Sequence, residues 1–202
     1  MGHSRAEKTR THERIVTLAS KRFREKGLTG VGIAELMDEA GLTVGGFYKH
    51  FASRDDLVAE AMRSASGDWK RKLNAAASGG APITFEFLVD DYLSEAHRDD
   101  PGAGCPVSAL SADVARSDKL TRALVTAGAK ENIELLASTI REAGEENKAA
   151  RSRAMMTYSA LVGAIALARA VSDEQLSREI LKTVARLLKS PAPKVASRHH
   201  GR

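Results

Sequence analysis

The chain is short of several things that would define other kinds of protein. It has one cysteine in 202 residues, Cys105, so an intrachain disulfide is excluded and a reducing compartment fits. Aromatic residues are only 4% of the total and long β-branched runs are few, while alanine is abundant; this mixture points away from sheets and toward an all-α fold. No stretch approaches the roughly eighteen uninterrupted apolar residues of a membrane span. The N-terminal MGHSRAEKTRTHER also lacks the apolar core of a signal peptide, so a cytoplasmic location with no membrane partner is expected. Metal-ligand spacing, a Gly-rich phosphate loop and a Ser/His/Asp arrangement are all absent, and the histidines sit mostly near the termini. His97 with Asp90, Asp91 and Glu95 is the nearest thing to an acid/base cluster, and a solvated helix end explains it better. The sequence therefore offers no support for an enzyme, and no cofactor is expected.

What is present begins with 43% apolar residues, enough for a core, and a net charge of +5 that is unevenly spread. Residues 1–26 hold eight Lys/Arg against three acids, residues 189–202 hold four and no acid, and the body between is net −4. Positive charge gathered at the N-terminal end suits contact with an anionic polymer; the C-terminal SPAPKVASRHHGR reads as a solvated basic tail.

The most informative stretch is IAELMDEAGLTVGGFYKHF, from Ile33 to Phe51. Ile33, Leu36, Met37 and Ala40 recur at helical steps, and Gly41 ends that helix in a conformation glycine takes without a Cβ penalty. Thr43 follows as N-cap of a second short helix. In it Val44, Phe47 and Phe51 share one arc, with Gly45, Gly46, Lys49 and His50 opposite. Two adjacent glycines inside a helix cost roughly 1 kcal/mol each relative to alanine. Close approach of the backbone to another surface would justify that loss. A helix bare at its centre and flanked by Tyr48, Lys49 and His50 has what a major-groove reading helix needs. A helical hairpin with a solvated face is the plainer alternative.

The run from about Arg14 to Met62 resembles the N-terminal domain of the tetracycline-repressor (TetR) family of bacterial regulators. The likeness lies in RIVTLASKRFREKGL, in the AGLT-x-GGFYKHF core and in SRDDLVAEAM. One departure is that members usually carry Thr or Ser near Val31 and Gly32, where only Thr29 is close by here. The resemblance implies a three-helix helix-turn-helix domain over residues 1–52, an effector-binding and dimerisation domain over 53–190, and a basic tail over 191–202, about nine helices in all. It further implies a homodimer setting two copies of Val44–His50 in successive major grooves of a palindromic operator, about 34 Å apart. Phosphates would be held by Tyr48, Arg54 and N-terminal basic residues, with Lys49 at a base edge.

Elsewhere, residues 1–7 read as an arm, and helices are expected over Lys8–Lys26, over Ser53 to about Ala77, and from Pro82 to near His97. Four more should follow: from Cys105 as N-cap through Val114, from about Asp118 to Glu142, from about Ala149 to Val171, and from Asp173 to Lys189. The last two offer wide apolar faces, which in the family build a four-helix bundle with the two-fold mate; closing the monomer's own core is the alternative. Family members enclose a small-molecule pocket among the middle helices. Candidate lining residues are Trp69, Phe85, Phe87, Tyr92, Cys105, Leu110, Met155 and Tyr158, each of which also reads as ordinary core. As a set they imply an apolar or aromatic effector. Cys105, in a Gly-Cys-Pro at a helix N-terminus, resembles a subset of the family that includes electrophile-responsive repressors, against the plainer reading of a buried structural thiol. The expected function is a ligand-responsive regulator, usually a repressor in the family; an architectural DNA-binding protein with no effector is the alternative.

Overall fold

The computed structural model describes residues 5–80 and 82–190, which form ten α-helices with no strand among the described residues. The C-terminal tail expected over 191–202 lies outside them. The helices are α1 (Arg5–Lys26), α2 (Ile33–Glu39), α3 (Val44–Phe47), α4 (Arg54–Ser78), α5 (Phe85–Tyr92), α6 (Glu95–Asp99), α7 (Pro106–Ala115), α8 (Lys119–Glu142), α9 (Asn147–Ala170) and α10 (Glu174–Lys189). A 3₁₀ turn, Pro101–Ala103, joins α6 to the segment before α7.

Side-chain chemistry at the helix ends explains most of these bounds. Gly27 and Gly41 close α1 and α2 with φ of 81° and 67°, a region that favours glycine. The hydroxyls of Ser53, Thr84 and Ser94 accept from the backbone N–H of Asp56, Phe87 and His97 at 3.1, 3.1 and 3.2 Å. Asp118 and Asp173 do the same for α8 and α10. Two expectations need correction here. The helix expected from Pro82 to near His97 is two helices, because Thr84 starts the first and Ser94 recaps the chain two residues after its end. Of the arm expected over residues 1–7, Arg5–Glu7 belong to α1, and the rest lies outside the described residues.

Two apolar clusters fill the molecule. The first joins Ile15, Ala19 and Phe23 of α1 to Leu36, Met37, Phe47, Phe51 and the start of α4, and takes in Leu110 and Val114 from α7. The second holds Leu73, α5, Cys105, the distal half of α8, and the inner faces of α9 and α10. The long α4 crosses from one to the other, with Leu57 and Met62 in the first and Leu73 in the second.

Candidate nucleic-acid interface and its neighbouring cavity

Helices α2 and α3 are joined by a four-residue turn made by Gly41 N–H donating to the Asp38 carbonyl and Leu42 N–H to that of Met37, both at 2.8 Å. Only one turn, Val44–Phe47, is α-helical; tighter bonds, Lys49 N–H to Gly46 and His50 N–H to Phe47, carry the chain to Phe51. Phe47 and Phe51 are buried and their rings lie 5.3 Å apart. That anchors the segment on one side and leaves Thr43, Gly45, Tyr48 and Lys49 exposed on the other. Thr43 occupies the N-cap position of α3 with extended backbone but makes no side-chain cap bond.

Three expectations change on this surface. Val44 was expected in the buried arc and, at the first position of α3, is 48% exposed. The two glycines are not equivalent. A Cβ on Gly45 would meet nothing within 4 Å, whereas one on Gly46 would touch Met37 Cε at 3.6 Å, so Gly45 is the bare centre of the outer face. Arg54, expected at a phosphate, is turned into the fold. Its Nη2 donates to the carbonyls of Leu28 and Val31, and its guanidinium sits 5.5 Å from the Phe23 ring centroid, so it clamps the α1–α2 loop. The N-cap of α2 is Gly32, which makes no side-chain cap bond, as the missing hydroxyl near that position implied.

His50 leans back toward α1, with its ring 5.9 Å from that of His12. Burial, then the nearby His12, Lys8 and Lys49, hold its imidazole below the ordinary histidine value. His12 stacks on Phe51 at 4.6 Å and reaches Glu60 of α4 at 2.7 Å. The α1–α2 pair is further tied by Arg22, held within α1 by Glu25, to Glu39 and by Lys26 to Glu35.

Beside this unit lies a cavity of about 820 Å³. Of the residues expected to line a pocket, Trp69, Tyr92 and Cys105 do so. Tyr158 stands behind that wall, its hydroxyl 4.0 Å from Cys105 Sγ and accepting from Asn132 Nδ2 at 3.2 Å. The other four go elsewhere. Phe85 is buried in the second cluster under the Arg153 guanidinium, and Phe87 packs at that cluster's edge. Leu110 belongs to the first cluster, because α7 packs against α1 and α4, and Met155 faces outward from α9.

What the sequence reading missed is that α1 forms one wall of this cavity, through Arg14, Thr17, Leu18, Lys21 and Arg24. Arg24 is buried, donating to the Gly104 carbonyl at 2.8 Å and pairing with Asp68 of α4 at 2.8 Å. Its place beside the apolar stripe of α1, one turn after Ser20, was the only available signal. The Pro101–Ala103 turn presses onto α1 so closely that a Cβ on Gly102 would stand 2.6 Å from Glu25 Oε1. His97 holds the next segment: its Nε2 accepts from Cys105 N–H at 2.9 Å, which leaves Nδ1–H to donate to the Tyr92 carbonyl at 2.6 Å. The bond accepted by Nε2 needs the neutral ring, and burial indeed holds His97 below its usual value. Cys105 is the N-cap of α7 with Pro106 at its first position, as expected.

The outward turn, anchored by two buried phenylalanines on a three-helix unit, defines a helix-turn-helix DNA-binding protein. Residues 15–61 match the family described as bacterial regulatory proteins, tetR family, and residues 82–186 the C-terminal domain of LmrA/YxaF-like transcriptional regulators. An uncharacterized HTH-type transcriptional regulator of Mycobacterium tuberculosis is 30% identical over 167 residues, covering 80% of this chain and 85% of the relative. The Escherichia coli repressor NemR is 22% identical over 191 residues, covering 90% and 96%. Its reduced-form crystal structure superposes with a TM-score of 0.73 at 21% identity, over 89% of this chain and 95% of that one. A TetR-family regulator of Cytophaga hutchinsonii superposes with 0.75 at 20%, over 93% and 96%. The chain belongs to the TetR family of DNA-binding transcriptional regulators. Among the described residues no helix is long and apolar enough to cross a membrane.

Proposed function

We propose that this chain is a homodimeric, ligand-responsive repressor. Residues 1–52 act as its reading head and 53–190 as its sensor and dimerisation part. Two copies of the Val44–His50 segment enter successive major grooves of a palindromic operator, with Gly45 closest to the bases, Lys49 at a base edge, and Tyr48 and basic residues of α1 at phosphates. Arg54 supports the head rather than touching DNA. Dimerisation uses α9 and α10, and the support is a run of exposed apolar side chains there: Met156, Leu167, Leu176 and Leu187. The cavity favours a regulator with an effector over an architectural protein. A small apolar or electrophilic molecule in the sensor part, with Cys105 as a candidate reacting thiol, releases the operator.

The observation that carries this reading is the bare Gly45, exposed at the centre of the α3 face with open space where a side chain would be. Selection from a pool of randomised duplex DNA should return an inverted repeat with half-site centres about 10 base pairs or a multiple apart. Gly45→Glu should bind that sequence at least tenfold more weakly. Its thermal stability should be no lower, because replacing a helical glycine gains up to about 1 kcal/mol. Equal affinity of the variant, or selection of a single half-site, would defeat the groove assignment or the dimer respectively.

A further inference from the structure

The geometry points to an effector that sits between the two parts of the molecule, touching α1 directly, and that carries a carboxylate on an otherwise apolar body. This rests on the regulator reading above and specifies where its ligand binds and of what class it is. The cavity is walled by Thr17, Leu18 and Lys21 of α1 on one side and by Trp69, Tyr92 and Cys105 on the other. Its occupant would therefore act as a wedge against the reading head.

Two hydrogen-bond donors on that wall are poorly satisfied. The Trp69 indole N–H is buried without an acceptor, and the Tyr92 hydroxyl, beside Cys105 and Ser108, has no well-aligned one, although buried polar groups nearly always find a partner. The tryptophan can only donate, so the missing partner must accept. The aromatic faces beside them, 6.0 Å apart and edge to face, suit an apolar body. The charged lining favours an anion: Arg14, Lys21, Arg24, Arg71 and Lys72 face Asp68, Asp91 and Asp100. Most of these groups engage one another or a neighbour: Asp68 pairs with Arg24 and Arg71, Asp91 with Lys72 and Lys21 with Glu25 at 3.8 Å, and Asp100 accepts from the Ala103 N–H at 3.0 Å. Arg14 has no ion-pair partner among the described residues. His97 adds no charge, because its Nε2 accepts from the Cys105 N–H, which only the neutral ring can do.

Trp69 is the only tryptophan in the chain, so its emission reports the site directly. Full-length protein is titrated with benzoate, 2-naphthoate and decanoate, with 2-methylnaphthalene as the uncharged control. At least one carboxylate should shift Trp69 emission saturably, and the control should bind at least tenfold more weakly. Thr17→Glu, an exposed change on α1, should weaken that carboxylate about tenfold, and Tyr92→Phe by a similar factor. Tyr92→Phe keeps the ring in place and removes a hydroxyl with no well-aligned partner, so its melting temperature should fall by little. The inference is overturned if no carboxylate gives a saturable change, if the hydrocarbon binds as well, or if Thr17→Glu leaves affinity intact. Operator binding by the unliganded protein, measured alongside, tells failure of the regulator reading apart from failure of this one.

Discussion

The N-terminal unit and the helices around the cavity are built from the same kinds of residue, yet they differ in how completely their polar groups are satisfied. In the first, Ile15, Met37, Phe47 and Leu57 are fully buried, and charged side chains such as Arg22, Lys26 and Arg54 are spent tying one element to the next. Among the described residues its one buried polar atom without an aligned partner is His50 Nδ1. The second region leaves three such groups, on Trp69, Tyr92 and Thr157. It also holds two arginines that reach across elements: the buried Arg98 pairs with Asp99 and Glu174 and donates to the Ser177 hydroxyl, and the half-buried Arg169 donates to the carbonyls of His97 and Arg98. A reading head must hold one shape to match a groove. A sensor must keep interactions in reserve, because a ligand shifts an equilibrium only by making contacts that the empty state lacks.

Three measurements would break or sharpen this contrast. The largest effect is expected at the anchor of the head. Phe47→Ala should cost about 3–5 kcal/mol, the usual range for emptying a fully buried phenylalanine site, and should abolish DNA binding. Urea denaturation showing a loss under about 1 kcal/mol would mean the head is not tightly packed. Next is the strut between the regions. Arg24→Leu removes a buried guanidinium from Gly104, Ser20 and Asp68, yet Asp68 keeps Arg71. A cost of about 2 kcal/mol is expected, read as a lowered melting temperature; an unchanged one would show that Arg24 couples nothing.

The smallest effect is in the pH dependence of His97. Burial and the cations Arg169 and Lys72 lower its folded value, while the Tyr92 carbonyl and Asp91 oppose them. The unfolded chain takes up its proton near about pH 6.5 and the folded one only at lower pH. The stabilisation from the neutral ring is thus complete above about pH 6.5 and is lost as pH falls through the folded value. Urea midpoints at about pH 7.5 and about pH 5 should fall more for the wild type than for His97→Gln. Equal slopes would remove the neutral histidine as a pH-sensitive support of the cavity wall.

Much of this was legible beforehand, and the reason is local. Gly27 and Gly41 stop helices by backbone conformation, Ser53, Asp118 and Asp173 start them by capping, and Phe47 and Phe51 mark an inward face by spacing. Errors arose where a neighbour in sequence competed. Ser94 interrupted a helix whose apolar period ran on through it, and Val44, first in a helix of one turn, stayed exposed. Long-range placement was not legible at all. Leu110 has the same character as Tyr92, but α7 carries it to the other cluster. Nothing in the spacing of α1 announces that its far side faces Trp69.

The amino-acid order alone settled the helices, their caps and the bare, basic-flanked turn, because each of these depends on residues within about one or two turns of one another. Only the folded arrangement decided which glycine is truly open, that Arg54 is a clamp, and that α1 closes a cavity over poorly satisfied donors. Those facts depend on where distant helices cross, and crossing is set by the packing of whole faces rather than by any short stretch of chain.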